Sequence, residues 1–172
     1  RSKLVGVSGT VSTPQVPSRL PHVGTTIFSV MSGLALEHGA INLSQGFPDF
    51  APPARLLERV AHHMAAGSNQ YAMMHGAPSL REAIAEKVAR LYQVSYDVER
   101  EISVTAGATE AIFCAITACV RPGDEVVVFA PVYDSYIPAI LLNGGNPVVA
   151  HLAAPDYRPD FDQLRQLLSP RT

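Results

Sequence analysis

The chain has 172 residues, of which 47% are hydrophobic and 16% are charged, and its formal net charge is −2. This length predicts one domain with at most a small appendage, and the apolar content is ample for a core. The 13 basic and 15 acidic residues form no run of like charge, which argues against nucleic acid or an anionic membrane as a partner. The longest apolar stretch, residues 111–120, is too short to cross a bilayer.

The first half of the chain predicts helices joined by loops. The residues RSKLVGVSG are set aside as a processed or added terminus, and the prolines that follow predict an extended arm up to residue 24. We expect a helix over 25–38 that begins at a threonine cap and ends at Gly39, then a short strand in INLSQGFPDF that runs into a loop. Further helices are predicted in PPARLLERVAHHMAAG and, after the loop NQYAMMHGAPS, from Ser79 onward.

The second half changes to alternating strands and helices. The pattern predicts strands in ISVT, EVVVFA and PVVAHL, and helices over 108–120, 135–142 and 160–168. Because the strands are almost continuously apolar, they predict a parallel sheet covered on both faces.

The cysteines and histidines indicate no metal site. Cys114 and Cys119 lie five positions apart in an apolar helix, a spacing that predicts buried thiols in a reducing cytoplasm. The adjacent His62 and His63 would point about 100° apart on a helix, which is poor geometry for sharing an ion.

A turn in VTAGATEAI joins the first of these strands to its helix, where parallel sheets bind ligands. Gly107 permits close backbone approach, and the amides of Ala108 and Thr109, with the Thr109 hydroxyl, could hold a phosphate at the positive helix end. The same residues also fit a plain helix start in which Thr109 is the cap and Glu110 favours the positive end. Spacing alone leaves both interpretations open.

Tyr133 follows the next strand, in FAPVYDSY, and should project over the Thr109 turn. There an aromatic side chain can stack on a planar ring, although a half-buried core tyrosine is the simpler interpretation. Taken together, an anion site beside a stacking aromatic would fit an aromatic phosphate ester.

Four segments in this order, INLSQGFPDF, NQYAMMHGAPSLREAIA, VTAGATEAI and RPGDEVVVFAPVYDSY, resemble the fold-type I, pyridoxal-phosphate-dependent aminotransferases. They are most similar to the class I branch that contains methionine and kynurenine aminotransferases, and the resemblance runs from about Arg19 to the end of the chain. It implies an α/β fold, the N-terminal part of a three-layer α/β/α arrangement with a mostly parallel sheet. Residues 1–50 would form an N-terminal arm, first helix and small-domain segment, and residues 51–172 the start of an incomplete cofactor-binding domain.

The resemblance implies roles for the residues at the two sheet-end turns. Gly107, Ala108 and Thr109 match the family's phosphate-binding turn, and Tyr133 matches the aromatic that stacks on the pyridine ring. Tyr71, otherwise a plain loop tyrosine, matches a tyrosine that reaches across a dimer interface to the neighbouring subunit's phosphate.

Substrate-binding residues are implied in the same way. Gly46, otherwise a turn glycine, matches the glycine beside the substrate carboxylate. Ile27 and Phe28 lie where the family's first helix lines the side-chain pocket, which is a looser match.

The family's reaction uses a lysine that holds pyridoxal 5'-phosphate as a Schiff base, together with an aspartate, an asparagine, a tyrosine and an arginine around the ring and substrate. None of these is implied in this chain, so no catalytic residue is assigned. Its only lysines are Lys3, in the arm, and Lys87, on a polar helix face. The chain is therefore expected to be the N-terminal portion of an aminotransferase and inactive by itself.

The implied parent protein is a cytoplasmic homodimer with shared active sites. It would transfer an amino group from methionine-like or aromatic amino acids to a 2-oxo acid. Two alternatives stay open: a carbon–sulfur lyase of the same fold, or a non-catalytic α/β module that binds phosphate, if the chain truly ends at Thr172.

Overall fold

The computed structural model describes residues 16–46 and 48–172. In this part of the chain there are six helices and two strands, in the order α1 (Ile27–Glu37), α2 (Ala54–Ala65), α3 (Pro78–Tyr92), α4 (Ala108–Cys119), β1 (Glu125–Ala130), α5 (Tyr136–Leu142), β2 (Asn146–His151) and α6 (Phe161–Leu167). The predicted arm lies partly outside the described residues, and Lys3 lies wholly outside them. Residues 16–24 form neither helix nor strand.

The boundaries of α1 follow the capping residues of the sequence. The Thr26 side chain accepts a hydrogen bond from the Ser29 amide, 3.3 Å away, and Gly39 follows the helix with φ +61°, so the predicted cap and stop of α1 are confirmed. Helix α3 begins one residue earlier than predicted. Pro78, rather than Ser79, is its first residue, because proline has no amide to leave unpaired there.

Strands β1 and β2 form a parallel two-stranded sheet, which confirms the predicted parallel pairing. The register runs from Glu125 opposite Asn146 to Ala130 opposite His151. Helix α5 connects the strands and packs against both β2 and α4, while α6 packs against β2. The buried apolar residues in and around this unit include Val128, Ala139 and Ile140.

Two predicted strands do not form among the described residues. Residues 41–43 and 102–105 form no strand. The second segment is nevertheless held: Ile102 is buried, and the Val104 amide donates to the His75 carbonyl at 2.9 Å. Their apolar, β-branched sequences favour extended backbone, but a strand also needs a neighbouring ladder, and the loop at His75 supplies one hydrogen bond rather than a ladder.

The prediction of buried thiols was wrong for this structure. Cys114 and Cys119 are both exposed. They lie on α4, whose main helical contact is with α5, so the apolar composition of α4 does not translate into burial of every side chain.

One charged side chain is buried where apolar packing would be expected. Arg81, in the first turns of α3, has no exposed surface, and its Nη1 donates to the Val98 carbonyl at 2.6 Å. Its Nη2 lies 3.3 Å from Oε1 of Glu99, whose side chain is largely exposed. Arg81 thus attaches α3 to the turn that precedes residues 102–105.

No helix in the described part of the chain combines the length and apolar character needed to span a bilayer.

Candidate functional site

Helix α4 begins at a glycine, and this leaves its first turn open. Gly107 is the N-cap residue, with φ +88° and ψ 172°, and no side chain caps the helix. The amides of a first helical turn have no intrahelical acceptors, so those of Ala108 and Thr109 are available to a ligand. Thr109 is the second residue of the helix, which excludes the alternative in which Thr109 is the cap.

The turn in front of α4 is fixed by its own hydrogen bonds. The Gly107 amide donates to the Thr105 carbonyl at 2.8 Å, and the Thr105 hydroxyl donates to the Gly107 carbonyl at 3.0 Å. The Glu110 carboxylate accepts a hydrogen bond from the Ala106 amide. A Cβ added to Gly107 would meet no atom within 4 Å, so the space over this glycine is open.

An aromatic cluster lies after strand β1. The Tyr133 ring is 5.8 Å from the ring of Tyr136 and 6.4 Å from the ring of Phe28, measured between centroids. Tyr133 is 51% exposed, so a substantial part of its surface remains free. The structure therefore brings together two predicted site residues, Phe28 of α1 and Tyr133, that are far apart in the sequence.

The other predicted residues lie at more open positions. Ile27, beside Phe28 on α1, is 61% exposed, and Gly46 has open space where a side chain would be. Tyr71 is fully exposed in the loop between α2 and α3. Lys87 is exposed on α3, in agreement with its predicted polar face.

The turn before α4 and Tyr133 each offer one feature that an aromatic phosphate ester would need. Open amides at a helix N-terminus and a threonine hydroxyl are donors suited to a phosphate dianion. A half-exposed tyrosine offers a face for stacking, which is the geometry that aromatic rings prefer. In the part of the chain that the structure describes, no group of three His, Cys, Asp or Glu side chains is arranged to hold a metal.

Sequence reasoning missed two residues near this region, Arg81 and Gly76. Arg81 shares a helix face with Ile84, Ala85 and Val88, which are partly buried, and this phase was the signal that its side chain points inward. Gly76 carried a weaker signal, a loop glycine two positions before the proline that begins α3.

Comparison with known proteins identifies relatives for most of the chain. The family profile of class I and II aminotransferases matches residues 38–172. The methionine aminotransferase of Escherichia coli K12 is 58% identical over 160 residues, which are 92% of this chain and 42% of that protein. Human kynurenine–oxoglutarate transaminase 3 is 37% identical over 155 residues, which are 89% of this chain and 34% of the relative.

A solved structure agrees with the sequence comparison. The Escherichia coli protein YbdL, whose crystal structure and reactivity identify a methionine aminotransferase function, matches with a TM-score of 0.88 and 57% identity. The match covers 92% of this chain and 42% of YbdL. The chain thus spans less than half the length of these relatives, and its described part has the fold of the corresponding N-terminal region.

Proposed function

The chain belongs to the class I and II aminotransferases, which use pyridoxal 5'-phosphate, and from this membership we propose an activity for the intact protein. It transfers the amino group of a methionine-like or aromatic amino acid to a 2-oxo acid. The observation that carries this proposal is the 58% identity to a methionine aminotransferase over 92% of the chain. The 37% identity to a kynurenine transaminase supports the aromatic part of the substrate range.

The N-terminus of α4 holds the cofactor phosphate in this proposal. The amides of Ala108 and Thr109 and the Thr109 hydroxyl donate to the phosphate oxygens, and the positive end of the helix dipole stabilises their charge. Gly107 makes this possible because its φ of +88° is readily adopted only by glycine, and because no side chain fills the space above it.

The aromatic cluster orients the cofactor ring. Tyr133 would stack on it, and the Phe28 ring, 6.4 Å from the Tyr133 ring between centroids, would support that side of the cluster. When bound, the cofactor supplies an aldehyde that accepts the amino group and a ring that accepts electron density. Ile27 and Phe28 line the substrate side-chain pocket, and the Gly46 backbone lies beside the substrate carboxylate.

None of the described residues is assigned the role of the lysine that moves the substrate proton. Lys87 is exposed on α3, where nothing directs its amine toward the α4 turn, so it does not serve this role. We propose that a polypeptide of these 172 residues binds the cofactor weakly through its phosphate and does not transaminate.

The same membership supports a proposal for assembly and domain organisation. We propose a cytoplasmic homodimer in which the exposed Tyr71 of each subunit donates to the phosphate held by the other. Residues 1–50 would contribute the arm, first helix and small-domain segment, and residues 51–172 the start of the cofactor-binding domain.

The test uses the intact protein loaded with pyridoxal 5'-phosphate. It is incubated with 2-oxoglutarate and, separately, with methionine, phenylalanine or kynurenine, and glutamate formation is measured. Glutamate formed with methionine or an aromatic amino acid supports the proposal. No glutamate with any of the three contradicts it, and release of pyruvate from cystathionine instead would favour the lyase alternative.

A further inference from the structure

We propose that Gly76 is a positioning residue for the phosphate-binding turn. Its lack of a side chain lets the loop that carries Tyr71 lie directly against the segment that leads into Thr109. This inference rests on the proposed function, and it concerns a residue that touches neither the phosphate nor the substrate.

The contact between Gly76 and Val104 is very close. A Cβ built on Gly76 would lie 2.7 Å from both Cβ and Cγ2 of Val104, well inside van der Waals contact. Gly76 also has φ +103°, a conformation that residues with side chains rarely adopt. Next to it, the His75 carbonyl accepts the Val104 amide at 2.9 Å, so the backbones are hydrogen-bonded at this point.

A second attachment holds the other end of the same segment. The Arg81 guanidinium donates to the Val98 carbonyl at 2.6 Å, and Arg81 is completely buried. Residues 75–81 are therefore hydrogen-bonded to both ends of the segment 98–104. Nothing but Thr105 and Ala106 separates this held segment from Gly107, where the open helix start begins.

The consequence is that the contact at Gly76 sets where the donors of α4 lie. The turn from Thr105 to Gly107 is fixed by its own hydrogen bonds, so a displacement of Val104 is carried forward to the amides of Ala108 and Thr109. The same contact fixes the base of the loop that presents Tyr71. One glycine thus positions both a subunit's own phosphate donors and the tyrosine that we assign to its partner's phosphate.

The experiment compares the affinities of the intact protein for pyridoxal 5'-phosphate and for pyridoxal, which lacks the phosphate. In Gly76→Ala, the new methyl group overlaps Val104 and displaces the turn. We expect the affinity for the phosphate ester to fall about tenfold or more, as for the loss of a hydrogen bond to a charged group, and the affinity for pyridoxal to change less than about twofold.

Two further variants separate positioning from general damage. Gly67, at the end of α2, has φ +85° and no atom within 4 Å of an added Cβ, so Gly67→Ala introduces comparable backbone strain without an overlap and should keep the wild-type ratio of affinities. Val104→Ala removes the Cγ2 packed on Gly76 and leaves the glycine unstrained. It should also lower the affinity for pyridoxal 5'-phosphate relative to that for pyridoxal. If Gly76→Ala does not fold, Val104→Ala provides the test.

The outcomes distinguish this inference from the proposed function. If the wild-type protein binds pyridoxal 5'-phosphate and pyridoxal with equal affinity, the proposed phosphate-binding role of the α4 turn and the role of Gly76 are both wrong. A wild-type preference for the phosphate ester that persists in Gly76→Ala, or in Val104→Ala where only that variant folds, overturns the role of Gly76 alone. Equal losses for both ligands in Gly76→Ala would also overturn it, because they indicate a general defect.

Discussion

Helix α4 begins without a side-chain cap. In many helices a serine, threonine or aspartate at the N-cap satisfies a first-turn amide with its own side chain. At α4 the cap is glycine, and Thr109 lies inside the first turn. The helix start is consequently stabilised less by its own sequence and is more available to an anion.

Tyr71 offers a direct test of the proposed contact between subunits, because its side chain is fully exposed in this chain. Tyr71→Phe removes only a hydroxyl, so the subunit should fold as before. If that hydroxyl donates to a partner's phosphate, its loss costs about 1.5–3 kcal/mol, and the affinity for pyridoxal 5'-phosphate falls about tenfold or more. Equilibrium titration of the intact protein with the cofactor measures this.

A matched control is available on the neighbouring helix. Tyr92, the last residue of α3, is 70% exposed and has no assigned role, so Tyr92→Phe should bind the cofactor like the wild type. Equal cofactor affinities in the wild type and Tyr71→Phe would exclude the contact between subunits.

Individual residues show how far the sequence could predict this site. The turn residues were predictable because Gly107 and the following helix form a local pattern. The contact between Phe28 and Tyr133 is not local, since only the folded chain brings α1 to the end of β1. The helical phase of Arg81 indicated that its side chain points inward, but the carbonyl that accepts its hydrogen bond, that of Val98, belongs to a different segment.

Among the elements, strand β1 is hydrogen-bonded at its start to residues 169–171. The Glu125 amide donates to the Arg171 carbonyl at 2.8 Å, and the Arg171 guanidinium lies 2.7 Å from the Glu125 carboxylate. The Ser169 hydroxyl donates to the same carboxylate. The hydrogen bond from Ser169 is the largest cause that lowers the pKa of Glu125 below its ordinary value of 4.5. The hydrogen bond from Arg171 is the next largest.

The lowered pKa predicts how acid acts on this attachment. Because the folded state favours the charged carboxylate, its contribution to the free energy of unfolding is complete above about pH 5 and disappears as the pH falls through the lowered pKa. Glu125→Gln should therefore be less stable than the wild type near neutral pH, and the difference should shrink below pH 4.5. Urea unfolding of the intact protein over this pH range measures the difference.

The control for this prediction removes a carboxylate elsewhere. Asp162 lies in α6, where its carboxylate pairs with Arg165 and both side chains are largely exposed. Asp162→Asn changes the net charge by the same amount and should show a smaller loss of stability. A stability difference between wild type and Glu125→Gln that stays constant from pH 3 to 7 would contradict the mechanism.

The elements themselves were predictable to different extents for a physical reason. The helices and the β1–α5–β2 unit depend on apolar runs and on start and stop residues that are close in the sequence, and most of their predicted positions agree with the structure. The segment 102–105 also contains β-branched residues, yet β1 has a strand in register beside it and this segment has none. Whether an extended segment becomes a strand depends on its neighbour, and its own sequence does not encode that.

Taken as a whole, the described part of the chain leaves many large apolar side chains exposed. Leu43 is 90% exposed and Met74 is 95% exposed. Since such surface is normally buried against other protein, this agrees with relatives that are more than twice as long.

This surface predicts how a polypeptide of residues 1–172 would behave in solution. It should associate as its concentration rises and should bind the dye ANS much more strongly, per molecule, than the intact protein, because its apolar surface and strand edges are uncovered. Light scattering and dye fluorescence measure the two effects. A monodisperse polypeptide with the dye binding of the intact protein would show that this region buries its own core.

The same polypeptide tests the role of Lys87. After incubation with pyridoxal 5'-phosphate and borohydride reduction, mass mapping should find no stoichiometric adduct on Lys87, since its amine is exposed on α3 and nothing directs it at a bound aldehyde. A single complete adduct on Lys87 would show that the lysine is directed at the phosphate turn after all.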